Sequence, residues 1–168
     1  MRKIIMVGEG GQGVKLLANV LARILTQLDK YVTLTYSYDA AVRGGNITAN
    51  LIYANEKIDN PIIDTADMLL MLSEVQGFSA KKMIVEKSLF KKEDEKQTFN
   101  TEELIAMPFM TLASEKFGSQ IFINMIALGQ LLKKMDIDIT QINLQKYLPE
   151  RYIEKNVEAI MYGYSWKE

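Results

Sequence analysis

The chain has 168 residues, 48% hydrophobic and 24% charged, the balance of an ordinary globular protein, and one domain over residues 1–168 is expected. It contains no cysteine and no histidine, which excludes a thiolate nucleophile, an imidazole base, a zinc site of the usual type and a cysteine-held iron–sulfur cluster. A formal charge of -1 leaves no basic excess for neutralising phosphates, so nucleic acid is not an expected partner.

Residues 3–7 (Lys-Ile-Ile-Met-Val) form a short apolar run that ends at glycine, as a buried parallel strand does. Over residues 14–28, Val14, Leu17, Ala18, Leu21, Leu25 and Leu28 recur at spacings of three and four, which predicts a helix with one buried face. Residues 31–36, rich in Val, Thr and Tyr, predict a second strand. Strand, glycine turn, helix and strand make a right-handed crossover of the α/β class. A polar loop over 37–46 contains Gly44 and Gly45; strand character resumes at 47–53, and Asn60-Pro61 marks a turn. The apolar run 67–73, closed by polar residues, predicts a central strand, and 83–85 a shorter one.

Residues 91–96 (Lys-Lys-Glu-Asp-Glu-Lys) carry charges that sum to zero and read as a solvated loop or hairpin tip. A short helix over 111–117 is stopped by Gly118. Residues 120–134 are apolar on nearly every side, which predicts a helix buried between other elements. Two more helices are expected at 144–148 and 153–162, with Pro149 between them. The expected architecture is a single three-layer α/β/α domain with an open, largely parallel sheet. The apolar start flows directly into a glycine loop without a signal-peptide pattern. The longest apolar segment, 121–132, is interrupted by Asn124, Gly129 and Gln130 and is too short for a bilayer, so a cytoplasmic location away from membranes is expected.

Two loops stand out. Gly8, Glu9, Gly10, Gly11, Gln12 and Gly13 fit G-x-G-x-x-G between a predicted strand and a predicted helix. Such glycines let backbone amides at a helix start approach an anion; they also serve any tight strand-to-helix turn under a packed sheet. An NAD site wants an acid at the end of the second strand, and that region is Thr33-Leu34-Thr35-Tyr36, with Asp39 beyond it. A Walker loop fails as well, because Val14 follows Gly13 and Leu16 follows Lys15 where Ser or Thr is needed. A free-standing Rossmann-type nucleotide-binding module remains the alternative. In the second loop, Ser37 through Val42 leads into Arg43, Gly44 and Gly45. A guanidinium beside two glycines can present its donors to a phosphate or carboxylate close to bare backbone. It can equally pin its own loop to a carbonyl or to Asp39.

Taken together, the chain resembles the gamma subunit, or the equivalent internal domain, of the pyruvate and 2-oxoglutarate ferredoxin oxidoreductases. The resemblance runs through residues 8–14 (like G-x-G-G-Q-G-V), 37–45 (like S-Y-G-x-E-x-R-G-G), 58–61, 67–71 and 110–124, in order and over nearly the whole chain. Asp39 and Ala41 stand where the family usually has glycine and glutamate. The resemblance implies a gamma subunit of a coenzyme A-acylating 2-oxoacid:ferredoxin or flavodoxin oxidoreductase, with 2-oxoglutarate to succinyl-CoA favoured over pyruvate. It implies thiamine diphosphate and iron–sulfur clusters in the complex, with coenzyme A, none of them held by this chain alone. The expected partners are alpha- and beta-type subunits, possibly a delta-type subunit, and ferredoxin or flavodoxin as electron acceptor. The candidate coenzyme-binding residues are Gly10, Gly11, Gln12, Gly13, Arg43, Gly44 and Gly45, with no catalytic or metal-binding residue. In the bland version both loops only pack on companion subunits.

Overall fold

The computed structural model describes residues 1–39, 45–74, 79–89 and 101–167. The charged run 91–96, Arg43 and Gly44 lie outside the described residues. The apolar run at the start extends as strand β1 (Arg2–Glu9), and the predicted amphipathic helix follows as α1 (Val14–Gln27). Its buried residues are Val14, Leu17, Ala18, Leu21 and Leu25 of the expected stripe, with Val20 and Ile24 beside them. Next come β2 (Tyr31–Tyr38), β3 (Asn46–Ala54), β4 (Ala66–Met71), β5 (Ala80–Glu86) and β6 (Glu103–Met107). Three helices complete the described residues: α2 (Phe109–Phe117), α3 (Ile123–Lys134) and α4 (Ile153–Ser165).

The six strands form one sheet in the order β2-β3-β1-β4-β5-β6. Strand β1 pairs in parallel with β4, β4 with β5, and β5 with β6. Only β3 runs the other way, antiparallel to both β1 and β2. The α/β class and the open sheet are as expected, with five of the six strands pointing one way. The crossover through α1, however, does not join neighbours. The chain turns back after β2 as a hairpin, and β3 enters between the two strands that α1 connects, with Arg2 opposite Tyr53 and Tyr31 opposite Ala54.

Alternation across the sheet separates two apolar clusters. Ile4, Met6, Met68, Leu70 and Ile84 face the helices, while Ile5, Val7, Leu69, Met71, Met83 and Val85 face the opposite side with Ile63 and Leu89 packed on them. The buried apolar residues of all four described helices fall in the first cluster, so these helices lie on one face. Helix α3 is buried without interruption from Ile123 to Leu132, which explains why its sequence shows no polar stripe. No helix among the described residues is long and apolar enough to cross a membrane.

Several elements differ from expectation. Strand β5 is seven residues long where three were expected, and β6 was not foreseen at all. The expected helix at 144–148 is a 3-10 turn, Leu144–Tyr147. Leu148 ends it at φ -92, ψ 153, the extended conformation that the following Pro149 imposes on its predecessor. A second 3-10 turn, Gln120–Phe122, precedes α3, with the Ser119 side chain accepting from the Ile121 N–H. Helix α2 stops at Gly118 as predicted.

One buried carboxylate organises the start of α2. Glu86, at the end of β5, is only 1% exposed. Its Oε1 accepts from the Ser88 N–H and its Oε2 from the Met110 N–H, both at 3.0 Å. Pro108, at the head of the helix, offers no side-chain cap, so a neighbouring strand supplies the acceptor and a negative charge at the positive end of the dipole. Glu86→Gln turns an amide N–H₂ toward one of these two donors and leaves that part-buried N–H without its partner. The expected loss is about 1–3 kcal/mol, read in urea as a lower midpoint at unchanged slope.

Candidate functional site

The carboxyl ends of β1 and β4 are neighbours in the sheet, and β3 begins at the same end because it runs backwards. In open α/β sheets this is the end where ligands bind. The glycine loop leaves β1 here. Gly8 is buried, and a Cβ on it would lie 2.6 Å from Val14 Cγ2 and 2.8 Å from Gln12 Oε1. Gln12 folds back on the loop: its N–H donates to the Glu9 carbonyl at 3.1 Å, and its Oε1 accepts from the Glu9 N–H at 2.7 Å. Its Nε2 donates to the Leu72 carbonyl at 3.0 Å, just past β4. Both ends of the Gln12 amide are therefore engaged in holding the turn.

Gly13 heads α1 in the left-handed region, at φ 75. Its carbonyl accepts from the Leu17 N–H at 3.0 Å and from Asn124 Nδ2 at 3.3 Å. Asn124 is 4% exposed, and its Oδ1 has no hydrogen-bond partner among the described residues. Gly10 and Gly11 differ in kind. Both are exposed, and a Cβ on either would meet no atom of the described residues within 4 Å. Gly11 needs its glycine for φ 98, whereas Gly10 has neither a positive φ nor a neighbour to avoid. Packing among the described residues thus accounts for Gly8 and Gly13 and leaves Gly10 without a neighbour. Helix α1 has no side-chain cap and no acidic residue in its first turn, so its leading amides keep their positive dipole end at this loop.

The β2–β3 hairpin arrives beside this loop. The Asp39 N–H donates to the Asn46 carbonyl at 3.1 Å, which closes the base of the hairpin, and Gly45 directly precedes Asn46. Ser73 Oγ donates to Asn46 Oδ1 at 2.6 Å, and Asn46 Nδ2 donates to the Glu74 carbonyl at 3.2 Å. Ser73 is 3% exposed. On the other flank the Lys15 ammonium lies 5.6 Å from the ring centres of both Tyr36 and Tyr38, a cation–π arrangement at the mouth of the loop. Burial raises the Tyr36 phenol above its ordinary pKa, against the opposing pull of Lys15, so Tyr36 stays a neutral donor, reaching the Lys15 carbonyl at 3.5 Å.

Of the residues singled out from sequence, the structure brings Gly10, Gly11, Gln12, Gly13 and Gly45 to one end of the sheet. Asn46 and Ser73 were not anticipated. The only trace of Ser73 in the sequence is a polar residue closing an apolar run, which is how most strands end. The opposite, amino end of the sheet holds a cavity of about 360 Å³ lined by Arg2, Tyr53, Asp67, Lys81, Lys82 and Lys134 among others. Its cations are paired: Asp67 with Arg2 at 3.7 Å and Lys81 at 3.4 Å, Glu103 with Lys82 at 3.5 Å and Lys134 at 2.6 Å. The Lys134 hydrogen bond holds the Glu103 carboxyl below its ordinary range. That end reads as a salt-bridged rim.

An open α/β sheet with a glycine turn and an uncapped helix start at its carboxyl end is an arrangement whose free amides can receive an anion. The chain belongs to the pyruvate ferredoxin/flavodoxin oxidoreductase family, which it matches over residues 3–166. It is 29% identical over 166 residues to the 2-oxoglutarate synthase subunit KorC of Archaeoglobus fulgidus, covering 95% of this chain and 84% of that one. To the protein of the same name in Methanocaldococcus jannaschii it is 30% identical over 178 residues, covering 98% and 93%. Among solved structures, the gamma subunit of a keto/oxoacid ferredoxin oxidoreductase from Geobacter sulfurreducens shares the fold, with TM-score 0.74 at 22% identity over 98% of this chain and 96% of that one. The fold also matches 30% of a longer chain, the 2-oxoglutarate:ferredoxin oxidoreductase of Magnetococcus marinus, with TM-score 0.69 at 20% identity over 96% of this chain.

Proposed function

We propose that this chain, as one gamma-type domain, is the gamma subunit of a coenzyme A-acylating 2-oxoacid:ferredoxin or flavodoxin oxidoreductase, and that its glycine loop faces coenzyme A. The 2-oxoacid is 2-oxoglutarate and the product succinyl-CoA, a choice supported by the name 2-oxoglutarate synthase subunit KorC carried by its relatives. The observation that carries the site is Gly10, a glycine that nothing among the described residues requires. Thiamine diphosphate and the clusters belong to alpha- and beta-type companion chains, where they supply the decarboxylation chemistry and the route for electrons to ferredoxin or flavodoxin. A chain without cysteine or histidine offers the usual ligands to neither a cluster nor a zinc ion.

The contribution of this chain is positional. Bare backbone at Gly10 and Gly11 admits the coenzyme close to the loop, and the leading amides of α1 attract its phosphates. Gln12 braces the turn from inside, and Gly13 starts the helix. Arg43, with Gly44 and Gly45, supplies a guanidinium for an anionic group of the same ligand. Gly10→Val in the assembled oxidoreductase places a branched side chain in the opening, where a Cβ meets no atom of the described residues within 4 Å. It is expected to raise KM for coenzyme A on the order of tenfold, the equivalent of about 1.4 kcal/mol, with KM for 2-oxoglutarate unchanged. Equal rises in both constants, or none in either, would remove the coenzyme from this loop.

A further inference from the structure

The carboxyl end of the sheet holds three separate stretches of chain: the glycine loop, the base of the β2–β3 hairpin and the turn after β4. The hydrogen bonds join them in series through the third. Leu72 lends its carbonyl to Gln12 Nε2 at 3.0 Å, and the next residue, Ser73, gives its hydroxyl to Asn46 Oδ1 at 2.6 Å. Asn46 answers by donating to the Glu74 carbonyl at 3.2 Å. The Leu72 N–H meanwhile donates to the Val7 carbonyl at 2.9 Å, which fixes the turn to the strand that launches the glycine loop. Strands β4 and β3 are not neighbours, since β1 lies between them. No ladder bond can therefore join β3 to β4; among the described residues only these side chains join the hairpin to the turn after β4, across the mouth of β1.

We infer that Asn46 and Ser73 are positioning residues for coenzyme binding: a two-bond clasp that sets the hairpin base against the turn that holds Gln12, and so fixes the glycine loop where the coenzyme meets it. The inference rests on the proposed role of that loop. Ser73 is 3% exposed, so water has little access to replace the bond that its hydroxyl makes. Asn46 is also the closing residue of the hairpin base, through its carbonyl and the Asp39 N–H. Loss of the clasp frees the hairpin base and the post-β4 turn to move independently, and the loop between them loses its fixed distance to both. Neither residue is a ligand in this account; their effect passes through Gln12 and the backbone.

The test is a double-mutant cycle in the assembled oxidoreductase with Ser73→Ala, Asn46→Ala and the pair, beside Gly10→Val. Ser73→Ala is expected to raise KM for coenzyme A about fivefold, the usual worth of one hydrogen bond, and Asn46→Ala at least as much because it removes both bonds, while kcat at saturating coenzyme and KM for 2-oxoglutarate hold. The double variant is expected to be no worse than Asn46→Ala alone, since loss of Asn46 already breaks both bonds of the clasp. Ser73→Thr keeps the hydroxyl and is expected to restore KM. A fall in Tm with an unchanged KM for coenzyme A would overturn the inference, as would equal rises in both KM values. If Gly10→Val raises KM for coenzyme A and the clasp variants do not, the clasp alone is refuted; if Gly10→Val is silent too, the loop's role falls with it.

Discussion

Gly163→Ala and Gly129→Ala are each expected to destabilise the protein by about 3 kcal/mol or more, a drop in Tm on the order of 10 °C for a chain of this size. Both glycines lie where α3 and α4 touch. A Cβ on Gly163 would sit 1.9 Å from the Ile126 carbonyl oxygen and 2.8 Å from its carbon. A Cβ on Gly129 would sit 2.0 Å from the Ile160 oxygen and 2.7 Å from the Tyr164 nitrogen. The two contacts are reciprocal, one helix's glycine against the other's backbone, and no rotamer change relieves backbone. Alanine brings a gain in intrinsic helix propensity of about 1 kcal/mol, which alone would make the substitutions stabilising. The clash outweighs it because the helices must separate along a seam where Ile126 and Ile160 are fully buried, and a close-packed interior does not yield by an ångström at one point. Thermal unfolding followed by circular dichroism decides the matter, and an unchanged or raised Tm in either variant would show that the helices are not packed this closely.

The same seam explains what could be read from sequence and what could not. Continuous apolar runs announced β1, β4 and α3, because each is buried on more than one side and the hydrophobic effect leaves no polar stripe to interpret. The spacing of Leu17, Leu21 and Leu25 announced α1 for the opposite reason, since one face stays in water. The direction of β3 was not legible: its burial alternates irregularly, and nothing in Asn-Ile-Thr-Ala-Asn-Leu tells a strand which neighbour it will enter between. Strand β6 was missed because Glu-Leu-Ile-Ala-Met is as good a start for a helix as for a strand, and what holds it is pairing with β5, which is a long-range fact. At the site, the need for glycine at four loop positions was visible, but not its division of labour. Gly8 and Gly13 answer to Val14, Gln12 and Asn124, while Gly10 answers to nothing among the described residues. Gln12 is a candidate coenzyme-binding residue from its place in the motif; the carbonyl on its Nε2 comes from Leu72, sixty residues along the sequence.

Gly13→Ala is expected to cost about 2–4 kcal/mol, since it combines backbone strain with a buried clash, whereas Gly10→Ala is expected to stay within about 0.5 kcal/mol of the parent. At φ 75 an L-residue carries about 1–2 kcal/mol of conformational penalty. The remainder comes from Asn124, whose Nδ2 would lie 2.3 Å and Cγ 2.8 Å from the new methyl. The two parts can be separated. Asn124→Ala removes the obstruction, and it does not orphan the Gly13 carbonyl, which still accepts from the Leu17 N–H at 3.0 Å. It also removes a buried Oδ1 that has no partner among the described residues, so its own cost is expected to fall below that of an ordinary buried asparagine. The double variant should therefore be more stable than the sum of the two single losses predicts, and the residual deficit should match the strain alone. Denaturant midpoints of the four proteins measure this directly. Strictly additive losses would mean that Asn124 does not press on Gly13, and that the head of α1 is held in place by the turn alone and not by the helix behind it.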